Sequence, residues 1–221
     1  MTTLSSAPVA PLLARLFAEA DANSAAHSPL FAGVTSAERG RMMRSKTDYR
    51  DFYAKLSDFA LPVSREVGGL LYMLARATNA RAIVEFGTSF GLSTLHLAAA
   101  LRDNGGGRLI TSEFEPGKLA MAKANLAEGG LTDLVEFREG DALETLAVDL
   151  PEAIDLVLLD GAKALYSDIL DRLESRLRPG AILVADNADY CPEYLDRVGD
   201  IANGYMSMPF SDEVELTIRL G

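Results

Sequence analysis

The chain has one cysteine, no tryptophan and only two histidines among 221 residues. A lone Cys191 excludes an internal disulfide framework and fits a reducing compartment such as the cytoplasm. So few sulfur and imidazole ligands also exclude a structural zinc site. No run of eighteen apolar residues occurs, so no membrane-spanning helix is expected. Met1 to Ala10 lacks the basic start and unbroken apolar run of a secretion signal. Basic charge is scarce as well: 21 Lys and Arg against 32 Asp and Glu leave a net charge of −11. A nucleic-acid partner is thereby disfavoured, because no cationic excess is available to neutralise phosphates. What is present is a globular composition, 48% hydrophobic and 24% charged, in a length that suits one sizeable domain.

The pattern changes near residue 60. Before it the chain reads as helical and irregular, with a helical stripe at Leu12, Leu13, Leu16 and Phe17 and a basic cluster from Arg39 to Lys46. Ser64 is placed to cap a helix running to about Ala77. Short apolar runs then alternate with amphipathic stretches, which predicts a parallel sheet wound with helices. Strands are expected at 82–86, 109–113, 135–138, 154–160 and 182–186, and helices at 92–101, 116–128, 164–176 and 193–202. Arg178-Pro179-Gly180 reads as a turn. Alternating residues at 206–209 and 214–219 predict an antiparallel hairpin at the sheet edge.

The segment from Ile83 to Ser93 runs from a buried strand through Gly87 and Gly91 into a helix. Glycine there lets the backbone turn sharply and a ligand approach closely. Two glycines separated by three residues do not make a dinucleotide fingerprint, and a purely structural turn is an alternative. Glu113, at the tip of the next strand, is placed to accept both hydroxyls of a ribose; a solvated strand-end acid is the plainer reading. Asp141-Ala142, after the third strand, could border an adenine ring. Two further strands deliver Asp160, then Asp186 and Asn187, to the same edge. Two carboxylates and an amide are hard oxygen ligands suited to Mg²⁺ or a similar ion. Either aspartate could instead cap a helix.

Taken as a set, the segment from Val84 to Ser93, Glu113, Asp160-Gly161-Ala162-Lys163 and Asp186-Asn187 resembles the metal-dependent O-methyltransferases, the group of the catechol and caffeoyl-coenzyme A enzymes. The likeness covers roughly residues 60–221. It implies a Rossmann-like α/β fold: a doubly wound, mostly parallel sheet with an antiparallel carboxy-terminal hairpin and amino-terminal helices. Residues 1–60 become a helical lid or interface, and 61–221 an S-adenosylmethionine-dependent domain. Leu61 and Val63 would flank the methionine end of the cofactor. Glu85, Gly87, Ser89 and Ser93 would line its amino-acid portion, and Asp160 would also touch it. Glu113 would hold the ribose, while Asp141 and Ala142 border the adenine. Asp160, Asp186 and Asn187 match metal ligands, and Lys163 the general base. Gly161-Ala162 departs from the bulkier pair usual there and implies room beside the acceptor.

The expected reaction is methyl transfer from S-adenosylmethionine to a hydroxyl of a small aromatic vicinal diol held on Mg²⁺. Burial and the cation are expected to depress the Lys163 pKa so that it takes the proton. A metal-independent methyltransferase of a secondary metabolite and a nicotinamide-dependent oxidoreductase are the alternatives, with a non-catalytic binding module behind them. His27 and His96 are candidate acid–base groups, with His96 better read as packing inside its helix. Tyr49, Tyr53 and Tyr166 either face an aromatic acceptor or fill core. The basic cluster is a solvated face or a contact for an acidic substrate. The partner is a small hydroxylated molecule, and the family implies a monomer or a homodimer.

Overall fold

The computed structural model describes residues 1–24, 28 and 31–221. Four helices come first: α1 (Val9–Ala22), α2 (Ser36–Met43), α3 (Tyr49–Ala54) and α4 (Arg65–Ala77). Strands and helices then alternate: β1 (Ala82–Phe86), α5 (Leu92–Asp103), β2 (Arg108–Glu113), α6 (Pro116–Glu128), β3 (Val135–Glu139), α7 (Ala142–Thr145), β4 (Ile154–Leu159), α8 (Tyr166–Leu173), β5 (Leu177–Asp186) and α9 (Pro192–Gly199). β6 (Tyr205–Pro209) and β7 (Val214–Arg219) follow. Ser64 caps α4 as expected, its side chain accepting from the Val67 amide at 3.2 Å.

The seven strands lie in the order β3-β2-β1-β4-β5-β7-β6. β1 to β5 are parallel, and β7 runs antiparallel between β5 and β6. This is the doubly wound sheet with a terminal hairpin. Its inner strands β1, β4 and β5 are largely buried on both faces, as a sheet covered on both sides requires. Ile83, Leu156 and Leu158 turn to a core shared with α1, α4 and α5. Their neighbours Val84, Val157 and Leu159 turn to a second core with α8 and α9. α5 is buried at every position from Leu92 to Leu101, because α1, α4 and α6 pack against it on the sides away from the sheet. Leu12, Leu13, Leu16 and Phe17 of α1 join that core, so the amino-terminal residues start as part of the main body.

Two boundaries differ from expectation. Arg178-Pro179-Gly180 is a bulged start to β5, not a turn: the pairing with β4 shifts between Ile154 and Leu156, and Gly180 takes φ +79°. Arg178 Nε donates to Asp155 Oδ1 at 2.5 Å, which ties that start to β4. The helix expected over 164–176 is α8 with a single 3₁₀ turn at each end, Lys163–Leu165 and Glu174–Arg176.

Candidate active site

The chain leaves β1 toward β2 and leaves β4 toward β5, so β1 and β4 flank the switch point of the sheet. Open α/β sheets bind ligands in the crevice beyond such strand ends. Here the two strands meet tightly. The Asp160 amide donates to the Phe86 carbonyl at 2.8 Å, and a Cβ on Gly87 would lie 2.6 Å from the Asp160 carbonyl oxygen. Gly87 also takes φ +100°, so the turn after β1 requires glycine on both counts. Ser89 follows in the left-handed region, and its amide donates to Glu113 Oε2 at 2.9 Å. The Glu115 amide donates to Glu113 Oε1 at 3.1 Å, so the turns after β1 and β2 are both fastened to one carboxylate.

Above these turns opens a crevice of about 650 Å³. Leu61, Gly87, Ser89, Glu113, Asp141, Ala142 and Asp160 all stand on its wall. The Leu61 amide donates to Ser89 Oγ at 3.1 Å, which brings the segment before α4 to the glycine turn. Val63, Glu85 and Ser93 are not on the wall. Val63 packs in the core beside α4. Glu85 has no exposure, and its carboxylate accepts from Ser93 Oγ at 2.6 Å and Thr94 Oγ1 at 2.7 Å. Burial pushes the Glu85 carboxyl up to about 7, against the pull of the Ser93, Thr111 and Thr94 hydroxyls. These residues hold β1 against α5 and so fix the glycine turn from beneath.

A second, wider cleft of about 1280 Å³ adjoins the first, and Asp160, Gly161, Leu61 and Tyr53 line both. Lys163, Asp186 and Asn187 stand on its floor. Lys163 Nζ donates to Asp160 Oδ1 at 2.6 Å and to Asp186 Oδ2 at 3.2 Å, bridging the two carboxylates. Neither aspartate side chain caps a helix, and Lys163 is buried rather than solvated. Burial favours the neutral amine, but Asp160, Asp186 and the nearby tyrosines outweigh it and raise the Lys163 pKa well above its ordinary value. Burial alone acts in the direction expected from sequence, and the two aspartates act against it. Burial pushes Asp160 upward too, and Lys163 restrains it. Asn187 sits in the left-handed region at φ +49°, and no hydrogen bond to its side-chain amide occurs among the described residues. Among the described residues the buried Tyr53 hydroxyl makes no well-formed hydrogen bond, with the Lys163 backbone beside it. Two acids, a free amide oxygen and a hydroxyl beside them are a donor set that fits a hard divalent cation.

Other expectations resolve by burial. Tyr166 is core, its hydroxyl donating to the Asp186 carbonyl at 2.7 Å. Tyr49 and Tyr53 both line the crevice. His96 is packing: its Nδ1 pairs with the Leu92 carbonyl at 2.7 Å, and its ring fills the space a Gly68 side chain would need. His27 lies outside the described residues. The space a Gly161 side chain would take is not open to the cleft, because a Cβ there would lie 2.5 Å from the Phe86 ring. Arg50 was not singled out in sequence. Its guanidinium pairs with Asp141 Oδ2, which also accepts from the Tyr49 hydroxyl at 2.8 Å, so α3 closes over the crevice at the Asp141 end. Burial opposes it, yet the Leu143 amide, Arg50 and Tyr49 together hold Asp141 below the usual carboxylate range. The available signal was the spacing of Tyr49, Arg50 and Tyr53 on one short helix. Lys118, nearly buried on the same wall, was also missed.

With this geometry in hand, the comparisons with known proteins are specific. Residues 84–188 match a family described as a methyltransferase domain. A catechol O-methyltransferase from Niastella koreensis is 37% identical over 131 residues, 58% of this chain and 58% of that protein. The chain thus matches less than two thirds of that relative's length. The cofactor-bound Rv0187 from MTB shares the fold with a TM-score of 0.70 at 24% identity, covering 98% of this chain and 93% of that one. The O-methyltransferase TomG from Streptomyces achromogenes, involved in tomaymycin synthesis and solved in complex with SAM, is 26% identical with a TM-score of 0.63, covering 88% of this chain and 96% of that one. Residues 84–188 thus carry a methyltransferase domain, and in sequence and fold the chain is similar to O-methyltransferases, one of them solved with SAM.

Proposed function

We propose that the chain moves the methyl group of S-adenosylmethionine to a hydroxyl of a small, catechol-like vicinal diol, with a divalent metal such as Mg²⁺. The observation that carries this reading is the meeting of two clefts at Asp160: a crevice with a ribose-type acid, Glu113, and a cleft floored by Asp160, Lys163, Asp186 and Asn187. The names of the relatives support the chemistry, since both a catechol enzyme and a SAM-bound O-methyltransferase are among them.

In this reading Glu113 accepts the ribose hydroxyls, Asp141 and Ala142 flank the adenine, and Leu61, Gly87 and Ser89 pass the methionine end toward Asp160. When bound, the cofactor supplies a methyl group on a sulfonium. Asp160, Asp186 and Asn187 would hold the metal, whose charge lowers the pKa of an acceptor hydroxyl and fixes its position. Once its ion pairs with the two aspartates are given up, burial favours the neutral amine, the ammonium proton passes to solvent, and Lys163 Nζ can then take the hydroxyl proton. The acceptor oxygen forms its bond to carbon as the carbon–sulfur bond breaks, leaving a methyl ether and a neutral thioether. α3 keeps water from the junction, and alignment of the reacting atoms supplies most of the rate. One observation favours a second reading, a metal-independent enzyme: Lys163 already neutralises both aspartates where a cation would sit.

The deciding experiment is methyl transfer from S-adenosylmethionine to catechol with Mg²⁺ and with chelator. Turnover lost with chelator and restored by Mg²⁺ supports the main reading; chelator-resistant turnover supports the second. Lys163→Ala should lower kcat by at least about 100-fold while S-adenosylmethionine affinity changes by under about threefold. Equal losses in both would remove Lys163 as the base.

A further inference from the structure

The acceptor cleft contains a cation that the proposed reaction does not use. Arg39, on α2, lines the same cleft as Asp160, Lys163 and Asp186. Its guanidinium lies over the Phe31 ring, 4.5 Å from the centroid. Among the described residues no carboxylate stands within ion-pair distance of it, and residues 25–27, 29 and 30 include no acid. Among the described residues its buried Nε has no hydrogen-bond partner. The other charges of the cleft are satisfied. Lys163 pairs with Asp160 and Asp186, and Asp21 pairs with Arg65 at 3.0 Å.

A buried donor left unpaired is costly, so a guanidinium held in this way is a site for a partner that comes from outside. α2 places it there. Thr35 and Glu38 form a reciprocal cap at the start of the helix, with the Thr35 amide donating to Glu38 Oε2 at 2.9 Å. Arg39 follows directly. A guanidinium fork matches a planar carboxylate best, through two parallel hydrogen bonds, and the Phe31 face beneath it leaves the edge of the fork free for them. The protein as a whole carries a net charge of −11, so its long-range field repels an anion and a local cation has to recognise it.

We infer that the acceptor is an anionic catechol: a vicinal diol whose ring, or a short arm on it, carries a carboxylate that pairs with Arg39. This rests on the reading above, in which the diol oxygens lie at Asp160, Asp186 and Asn187. The ring then extends past Phe52 and Tyr53 toward α2, where Arg39 selects the substituent.

The test compares 3,4-dihydroxybenzoate with the neutral isostere 3,4-dihydroxybenzamide. Binding is measured by calorimetry with Mg²⁺ and S-adenosylhomocysteine present, and transfer with S-adenosylmethionine. Wild type should favour the carboxylate by about 10- to 100-fold in both assays, the range of a charged hydrogen-bonded pair. Arg39→Gln should bring the ratio to within about twofold, and Arg39→Lys, which keeps the charge but not the fork, should retain part of it. A wild type without preference, binding of neither compound, or a ratio untouched by Arg39→Gln overturns the inference. Carboxylate-selective binding without methyl transfer to either compound upholds Arg39 and removes the methyl-transfer reading. Transfer to both compounds at equal efficiency does the opposite.

Discussion

Replacing Gly161 by alanine puts a methyl group where the Phe86 ring already is. The added Cβ would lie 2.5 Å from both Cε2 and Cζ of that ring, more than 1 Å inside ordinary contact, for which about 3.5–4 Å is usual. The ring cannot simply swing away, because Phe86 is buried and packs edge-to-face on Tyr166, with centroids 6.3 Å apart. Tyr166 is itself fully buried and anchored to the Asp186 carbonyl. Overpacking of this kind costs about 1–3 kcal/mol. For a domain of this size that corresponds to roughly 2–12 °C in Tm. Phe86→Leu removes the ring atoms in question, so Gly161→Ala in that background should cost less than about 0.5 kcal/mol, a coupling of about 0.5–3 kcal/mol between the two sites. Urea unfolding of the four proteins measures the cycle. If Gly161→Ala is neutral, or equally costly in both backgrounds, Gly161 is not there to accommodate Phe86. The sequence reading of Gly161 as room for the acceptor makes a different forecast: stability unchanged and acceptor KM raised.

Two further outcomes follow from the crevice. Glu85 titrates at about 7 in the folded protein against an ordinary 4.5, so between those values the folded state binds more protons than the unfolded one. Stability therefore falls as pH rises through that window, by up to about 3 kcal/mol above pH 7. Glu85→Gln should remove this slope and gain stability at pH 8 but not at pH 4; parallel pH profiles for variant and wild type would count against it. Arg50→Ala removes one of the two α3 contacts to Asp141 and should speed S-adenosylmethionine release up to about fivefold, an effect that shrinks with added salt. A release rate that is unchanged, or changed independently of salt, would assign the Arg50 contact no part in closing the crevice.

What could be read from the sequence was local. An apolar run that ends in a polar residue marks a strand tip, and Glu113, Asp160 and Asp186 were found in this way because sheet topology brings every such tip to one edge. Two glycines in place of three likewise separate this turn from a dinucleotide site. What was hidden depended on side-chain direction or on distant partners. Glu85 and Ser93 flank the same glycine turn as Ser89, yet they point beneath it and bond each other at 2.6 Å. Arg50 meets Asp141 across 91 positions. Arg178 reaches Asp155 and turns an apparent Pro-Gly turn into the start of a strand. Gly161 is small because of Phe86, a dependence between two strand ends that no local pattern records.

The residues that bear on the reaction divide by the kind of element that carries them. Gly87, Glu113, Asp160 and Asp186 stand at the ends of paired strands or just beyond them, where backbone hydrogen bonds and two cores fix their positions. Arg39, Tyr49, Arg50 and Tyr53 stand on two short helices outside the sheet. Those helices are tied to the opposite side of the site by exposed contacts, such as Lys46 to Asp168 at 2.9 Å and Lys46 to Glu193 at 2.8 Å. Exposed ion pairs of this kind contribute little, so this segment adjusts more readily than the sheet. In the proposed reading the chemistry would sit on the sheet and acceptor recognition on these helices, with Tyr53 facing both clefts where the two meet. A substitution at Arg39 can change which acceptor is taken while the strand ends stay in place. A side chain at Gly87 or Gly161 would disturb both clefts at once, because the backbone that separates them is also their shared wall.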